Sequence, residues 1–186
     1  MGRERGIFID RDGTLVHARH FPRRPEELVL HDGVADALRE LRDAGFRVVV
    51  VSNQSGIGRG YFDEAALTLM HEHLVKQLGA DGAGVDAIYF CPHIPEDACA
   101  CRKPSPGMLL EAARALDIDA SRSWMVGDIL DDVEAGRRAG CRTILVDRGT
   151  ETLDATPPER TPHHVAPDTA AALRHIAALE LAGARV

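Results

Sequence analysis

A chain of 186 residues, 45% hydrophobic and 27% charged, has the size and balance of one ordinary globular domain, 1–186, able to bury a sizeable core without disulfides. Its net charge of −7 argues against a general nucleic-acid binder, and no apolar run approaches the ~20 residues that cross a bilayer. The opening "MGRERGIFIDRDG" has too short an apolar run for a signal peptide, so the cytoplasm is the expected compartment, where clustered cysteines bind metal more often than they pair.

The first apolar run is "GIFID" (6–10), followed by a helical pattern at 34–44. "FRVVVVS" (46–52) precedes a second helix at 64–78, and "DAIYFCP" (86–92) precedes a third at 106–116. "SWMVGD" (123–128) leads into a helix at 130–139 and then "RTILVDR" (142–148). The Pro- and Thr-rich "DATPPERTPHH" reads as a loop or short edge element before a last helix at 168–183. Short Val- and Ile-rich strands alternating with amphipathic helices predict an α/β fold, a doubly wound parallel sheet covered on both faces. No repeat, low-complexity tract or second domain is visible.

Ligands of such sheets bind beyond the carboxyl ends of the strands, so the residues that follow each strand carry the information. "DRDGT" places Asp10, Asp12 and Thr14 after the first strand, and "SNQSGIGRG" places Ser52 and Asn53 after the second. Arg102 and Lys103 follow the third, and "GDILDD" places Asp128 and Asp132 after the fourth. Lys103 stands out because the chain has only one other lysine, Lys76, against twenty arginines. Converging carboxylates need a cation, and oxygen ligands favour Mg²⁺ over zinc. A hydroxyl, loop amides and a lysine suit phosphoryl oxygens. One aspartate can attack phosphorus while its neighbour handles the alcohol's proton. The set reads as metal-assisted phosphoryl transfer through an aspartyl-phosphate. Singly each motif is weak: Asp-Gly is also a common turn, and "GDxxxD" also describes a strand end and a cap. "SGIGRG" fails as a dinucleotide loop because Tyr61 stands where glycine is required.

The stretch "CPHIPEDACACRKPSPG" offers Cys91, His93, Cys99 and Cys101, a complete Cys₃His set for a structural Zn²⁺ with no position left for a catalytic water. Such a clip would fix the loop that carries Arg102 and Lys103. Pro104 is expected to hold Lys103 extended, and Ser105-Pro106 to be the N-cap and first residue of the next helix. Cys141 reads as a core residue. His71 and His73, two apart on a helix, are poor joint ligands, and His163 and His164 are expected in solvent.

Together "DRDGT", "SNQSG", "RKP" and "GDILDD" resemble the four motifs of the haloacid-dehalogenase-like phosphatases, over residues 6–149. Within that superfamily the chain is similar to the heptose bisphosphate phosphatases and, through the cysteine loop, to the histidinol-phosphate phosphatases. The resemblance implies Asp10 as nucleophile, Asp12 as general acid/base, and Ser52, Asn53 and Lys103 around the phosphate with Arg102 nearby. It also implies Mg²⁺ on Asp10, the Asp12 carbonyl and Asp128, with Asp132 as a support. Ile129 departs from the polar or cationic residue that relatives often carry there. The linker between the first two motifs is too short for a helical cap domain, so an open, capless site is expected, shaped by loops 15–27, 53–62 and 91–102. Arg19, Arg23, Arg24 and Arg59 fit a further anionic group, although solvated loop charge explains them equally well. The expectation is a monomeric phosphatase acting on a small sugar bisphosphate, D-glycero-D-manno-heptose 1,7-bisphosphate at its 7-position, with no nucleic-acid or membrane partner. Histidinol phosphate, a nucleic-acid 3′-phosphate and a non-catalytic zinc-stabilised module are the alternatives.

Overall fold

The computed structural model describes residues 2–80 and 82–183. Its strands are β1 (Arg5–Ile9), β2 (Phe46–Asn53), β3 (Ala87–Cys91), β4 (Trp124–Gly127), β5 (Arg142–Val146) and β6 (His164–Ala166). The helices are α1 (Val34–Asp43), α2 (Glu64–Ala80), α3 (Gly107–Ala115), α4 (Leu130–Ala139) and α5 (Thr169–Gly183). One parallel sheet results, in the order β3-β2-β1-β4-β5-β6. The chain runs outward from β1 to β3 and then returns to β1's other side with β4. The strand order therefore reverses between β1 and β4, the place where doubly wound sheets open a crevice.

Side-chain alternation assigns the two layers. Ile7, Ile9, Val48, Val50, Trp124 and Val126 face one side, where Leu38 and Leu41 of α1, Leu67, Met70 and Leu74 of α2 and Ile176 of α5 cover them. Phe8, Val49, Val51 and Met125 face the other side, under Met108, Leu109 and Ala112 of α3 and Ala135 of α4. Both faces are buried, which is why the strands read as continuous apolar runs. Cys141 lies in the second layer, as expected. Among the described residues no helix is long and apolar enough to cross a membrane.

Local signals set the helix starts. Asp63 Oδ1 accepts from the Ala66 amide at 2.8 Å at the start of α2, and Asp168 Oδ1 accepts from the Ala171 amide at 2.7 Å at the start of α5. The expected cap of α3 is corrected by one residue: Pro106 is the N-cap, Gly107 opens the helix, and no side chain caps it. Residues 102–105 form a turn closed by the Ser105 amide on the Arg102 carbonyl at 2.8 Å, with a cis Lys103–Pro104 peptide inside it. The connector ends in the short edge strand β6, whose His164 stacks on His175 with ring centroids 3.7 Å apart. His163 is exposed as expected, but its Nδ1 accepts from the Thr143 amide at 3.0 Å.

Gly127 ends β4 where Asp132 folds back from the first turn of α4. A Cβ at Gly127 would lie 2.2 Å from Asp132 Oδ2 and 2.3 Å from Asp132 Cβ and Cγ. Overpacking of this kind costs about 1–3 kcal/mol. Gly127→Ala should lower the urea midpoint accordingly and also reduce turnover, because Asp132 cannot shift without moving its partner Lys103. Wild-type stability together with wild-type turnover would disprove the close approach.

Candidate active site

Four strand ends meet at one point. Asp10 follows β1, with its amide on the Val126 carbonyl of β4 at 3.0 Å. Lys103 reaches in from the turn after the cysteine loop and is 2% exposed. Its Nζ donates to Asp10 Oδ1 at 2.6 Å and to the Val51 carbonyl at 2.8 Å, and it lies 2.6 Å from Asp132 Oδ1. The Asp132 contact is an ion pair off the hydrogen-bond axis, so this buried oxygen has a charge opposite it but no aligned donor. Asp128 follows β4 and accepts from Thr14 Oγ1 at 3.0 Å.

Oxygens of Asp10, Asp128 and Asp132 lie within 4.8 Å of one another. One ammonium cannot neutralise three carboxylates, and burial together with their mutual repulsion weakens their acidity. Burial pushes Asp10 up to about 7, opposed by Lys103 and reinforced by the Asp132 and Asp12 charges. Burial, then the Asp10 charge, raises Asp128 to about 6. Burial also raises Asp132, against the pull of Lys103. Burial disfavours the Lys103 ammonium, yet Asp10 and Asp132 more than offset it and hold its pKa above the ordinary lysine value. A carboxylate excess with an incompletely satisfied buried oxygen fits a hard divalent cation bound by oxygen ligands.

Asp12 sits beside this cluster, its carboxylate held by a separate set of partners. Arg11, fully buried, donates from Nη2 to Asp12 Oδ2 at 2.7 Å and from Nε to both Asp12 oxygens at 3.1 Å. Gln54 Nε2 donates to Asp12 Oδ2 at 2.8 Å and to Ser52 Oγ at 2.7 Å. Ser52 is buried at the floor of the site. The Asn53 side chain is committed to the backbone of Lys103. Its Nδ2 donates to the Lys103 carbonyl and its Oδ1 accepts from the Lys103 amide, both at 3.0 Å, so its side chain holds the backbone that presents Lys103.

The cysteine loop closes as the spacing requires. Cys91 Sγ lies 3.5 Å from His93 Nδ1, 3.5 Å from Cys99 Sγ and 3.2 Å from Cys101 Sγ. Cys101 Sγ is 3.3 Å from His93 Nδ1 and 3.4 Å from Cys99 Sγ. Tetrahedral zinc with thiolates at about 2.3 Å spaces its sulfurs by roughly 3.8 Å, so these four atoms already approximate a closed zinc tetrahedron. Burial pushes the Cys91 thiol up; the burial of Cys99 acts the same way but is outweighed by the Arg102 amide and the adjacent thiols, which lower it to about 7. The loop is braced from both sides. The Gly58 amide donates to the Pro92 carbonyl at 3.0 Å, and a Cβ on Gly107 would lie 2.2 Å from the Ala100 carbonyl oxygen.

The remaining cations stand at the rim. Arg102 donates to the His93 carbonyl at 3.3 Å and borders a cavity of about 290 Å³ with Lys103 and Asp131. Arg19 borders a cavity of about 210 Å³ with Asp12, Asn53 and Ser55. Arg23 lies over the Tyr61 ring at 5.3 Å, Arg24 pairs with Glu27 at 3.3 Å, and Arg59 is exposed. Ile129, beside Asp128, is 37% exposed.

Arg11, Gln54 and His71 went unrecognised in the sequence. The first two lie inside motifs, but a motif string does not say which way a side chain turns. His71 carried a signal: it lies four residues after Leu67 and three before Leu74, at the edge of the buried stripe of α2. Its Nε2 is 3.3 Å from Arg11 Nη1.

Residues 100–172 match the HAD-hydrolase-like family. The chain is 44% identical over 151 residues to the D-glycero-beta-D-manno-heptose-1,7-bisphosphate 7-phosphatase of Escherichia coli (strain K12), covering 77% of this chain and 79% of that protein. The crystal structure of D,D-heptose 1,7-bisphosphate phosphatase from B. bronchiseptica, complexed with magnesium and phosphate, superposes with a TM-score of 0.84 at 40% identity, covering 92% of this chain and 97% of the other. The corresponding enzyme from Burkholderia thailandensis gives 0.69 at 35% identity, covering 93% and 98%.

Two measurements test the metal centres. Asp10 and Asp128 lie above their ordinary value of 3.8, at about 7 and about 6, so the metal-free fold holds protons that the unfolded chain releases. Metal-free stability should therefore fall as pH rises from about 4 to about 7. Mg²⁺ needs the ionised forms, so its affinity by calorimetry should rise over pH 5.5–7.5 with proton release, and a flat profile would contradict the assignment. Zinc should survive purification at about one per chain. Cys99→Ser should reduce zinc content and, by loosening Lys103, lower kcat by up to the order of 10²-fold. Zinc loss with unchanged kinetics would leave the clip a stability feature only.

Proposed function

We propose, from the premise that this chain belongs to the haloacid-dehalogenase-like phosphatases, that it is a Mg²⁺-dependent sugar-phosphate phosphatase hydrolysing D-glycero-D-manno-heptose 1,7-bisphosphate at the 7-position. The observation that carries this reading is Lys103 set 2.6 Å from both Asp10 and Asp132, with Asp128 beside them at the strand-order reversal. A fold kept only for binding has no need of that charge arrangement.

Asp10 is the nucleophile, and Asp12 the general acid and base. Mg²⁺, held when bound by Asp10, the Asp12 carbonyl and Asp128, neutralises these carboxylates and the phosphoryl oxygens. Lys103 opposes the protonation of Asp10 that burial favours and supplies positive charge to the arriving phosphoryl group. Ser52, which already accepts from Gln54, has its hydroxyl hydrogen left to donate to a phosphoryl oxygen. In the first half-reaction an Asp10 oxygen bonds to phosphorus as the P–O bond to the sugar breaks, and Asp12 protonates the departing alkoxide. In the second, water attacks the aspartyl-phosphate, its proton passes to Asp12, and inorganic phosphate leaves. Arg102 borders a cavity that reaches Lys103 and Arg19 one that reaches Asp12, and both suit the sugar's second phosphate, with Arg59 further out on the loop. The apolar Ile129 at the rim favours a second reading, a monophosphate such as histidinol phosphate.

A substrate panel decides between these readings. Heptose 1,7-bisphosphate should give a higher kcat/KM than fructose 1,6-bisphosphate or histidinol phosphate, and preference for histidinol phosphate would establish the second reading. For the chemistry, rapid quench with labelled aryl phosphate should show label on Asp10 in the Asp12→Asn protein, with slow release. Label in the Asp10→Asn protein would overturn the nucleophile assignment.

A further inference from the structure

The two oxygens of Asp12 are treated unequally. Oδ2 receives Arg11 Nη2 at 2.7 Å, Gln54 Nε2 at 2.8 Å and Arg11 Nε at 3.1 Å. Oδ1 has only the shared Arg11 Nε at 3.1 Å. A proton on Oδ2 would point into N–H donors, whereas one on Oδ1 meets no such conflict. Because the clamp grips both oxygens, the carboxylate cannot rotate and exchange them.

Arg11 is in turn held at each corner. Its Nη2 also donates to Gln54 Oε1 at 3.0 Å, which fixes the Gln54 amide with its nitrogen towards Asp12 and Ser52. Its Nη1 lies 3.3 Å from His71 Nε2. A ring nitrogen facing a guanidinium must be an acceptor, so His71 is neutral with its proton on Nδ1. Burial, and then the Arg11 charge, pushes His71 down to about 4, in keeping with that state. A guanidinium with no exposure, tied to three residues from different elements, is costly to bury unless each contact is kept.

We infer that Arg11, backed by Gln54 and His71, is a positioning residue that reserves Oδ1 of Asp12 for proton transfer. The inference rests on the proposed acid/base role of Asp12. In the forward step the Asp10–phosphorus bond forms, the phosphorus–alkoxide bond breaks, and the proton on Asp12 Oδ1 goes to the alkoxide. In hydrolysis the water oxygen bonds to phosphorus, the Asp10–phosphorus bond breaks, and the water proton returns to Oδ1. The same atom serves both halves, so an immobile carboxylate gains in each.

Leaving-group dependence separates positioning from mere structural support. In Arg11→Met, kcat for heptose bisphosphate should fall on the order of 10²-fold, whereas the first-step burst with a nitrophenyl phosphate should fall less than about threefold, because that leaving group needs little protonation. Across an aryl phosphate series the dependence of the first-step rate on leaving-group pKa should steepen towards that of Asp12→Asn, and Arg11→Lys should recover part of it. His71→Leu, which removes only the acceptor behind Arg11, should steepen it less, with KM unchanged; it carries the test if Arg11→Met does not fold. Equal losses on good and poor leaving groups, or a wild-type slope in His71→Leu, would overturn the inference. A wild-type slope in Asp12→Asn itself would instead overturn the acid/base reading beneath it.

Discussion

Lys103 is the constraint on which the rest of the site depends. A buried ammonium is tolerable only beside negative charge, and here it lies 2.6 Å from both Asp10 and Asp132. That contact joins β1 to α4 through a residue supplied by neither. It opposes the effect of burial on Asp10, and it still leaves the carboxylates in excess. The excess makes a divalent cation part of the site's charge balance rather than an accessory.

Most of the surrounding architecture follows from delivering one lysine to one place. Lys103 lies in a turn rather than a helix or strand, and turns do not hold a side chain still by themselves. Asn53 clips both backbone groups of Lys103 to the end of β2. The Cys₃His cluster fixes the chain immediately before it, and Gly107 packs against the Ala100 carbonyl so that α3 backs the same loop. The cysteine loop and the Lys103 end of the site are thus one mechanical unit, although their side-chain chemistries are unrelated.

A separate network serves the second aspartate. Arg11 and Gln54, with His71 behind Arg11, give Asp12 partners that Asp10 lacks and so set two similar side chains in different surroundings. Asp10 is set among carboxylates and a lysine, where an oxygen can bond to phosphorus. Asp12 is set against a guanidinium with one oxygen left for a proton. Two residues apart in sequence, they differ because the tight turn after β1 points them at different neighbours.

Much of this was legible in the sequence because its periodicities are strong. Strands buried on both faces leave unbroken Val and Ile runs, helices leave apolar stripes, and the chemistry-bearing residues fall after strands, where parallel sheets place ligands. The Cys₃His spacing also sufficed to mark a metal cluster, since its ligands are close along the chain. The sixth strand was faint because three residues at an edge carry little pattern, and the cap of α3 shifted by one residue because the turn at 102–105 occupies the positions before it. Composition, element order and the identity of the acids, the lysine and the Cys₃His residues were set by the sequence alone. Which way Asn53 faces, that Arg11 and His71 stand behind Asp12, and that a single ammonium answers three carboxylates were decided only by the tertiary structure. Those facts depend on side-chain direction and on partners dozens of residues apart, and burial makes such partners obligatory without marking them in the local sequence.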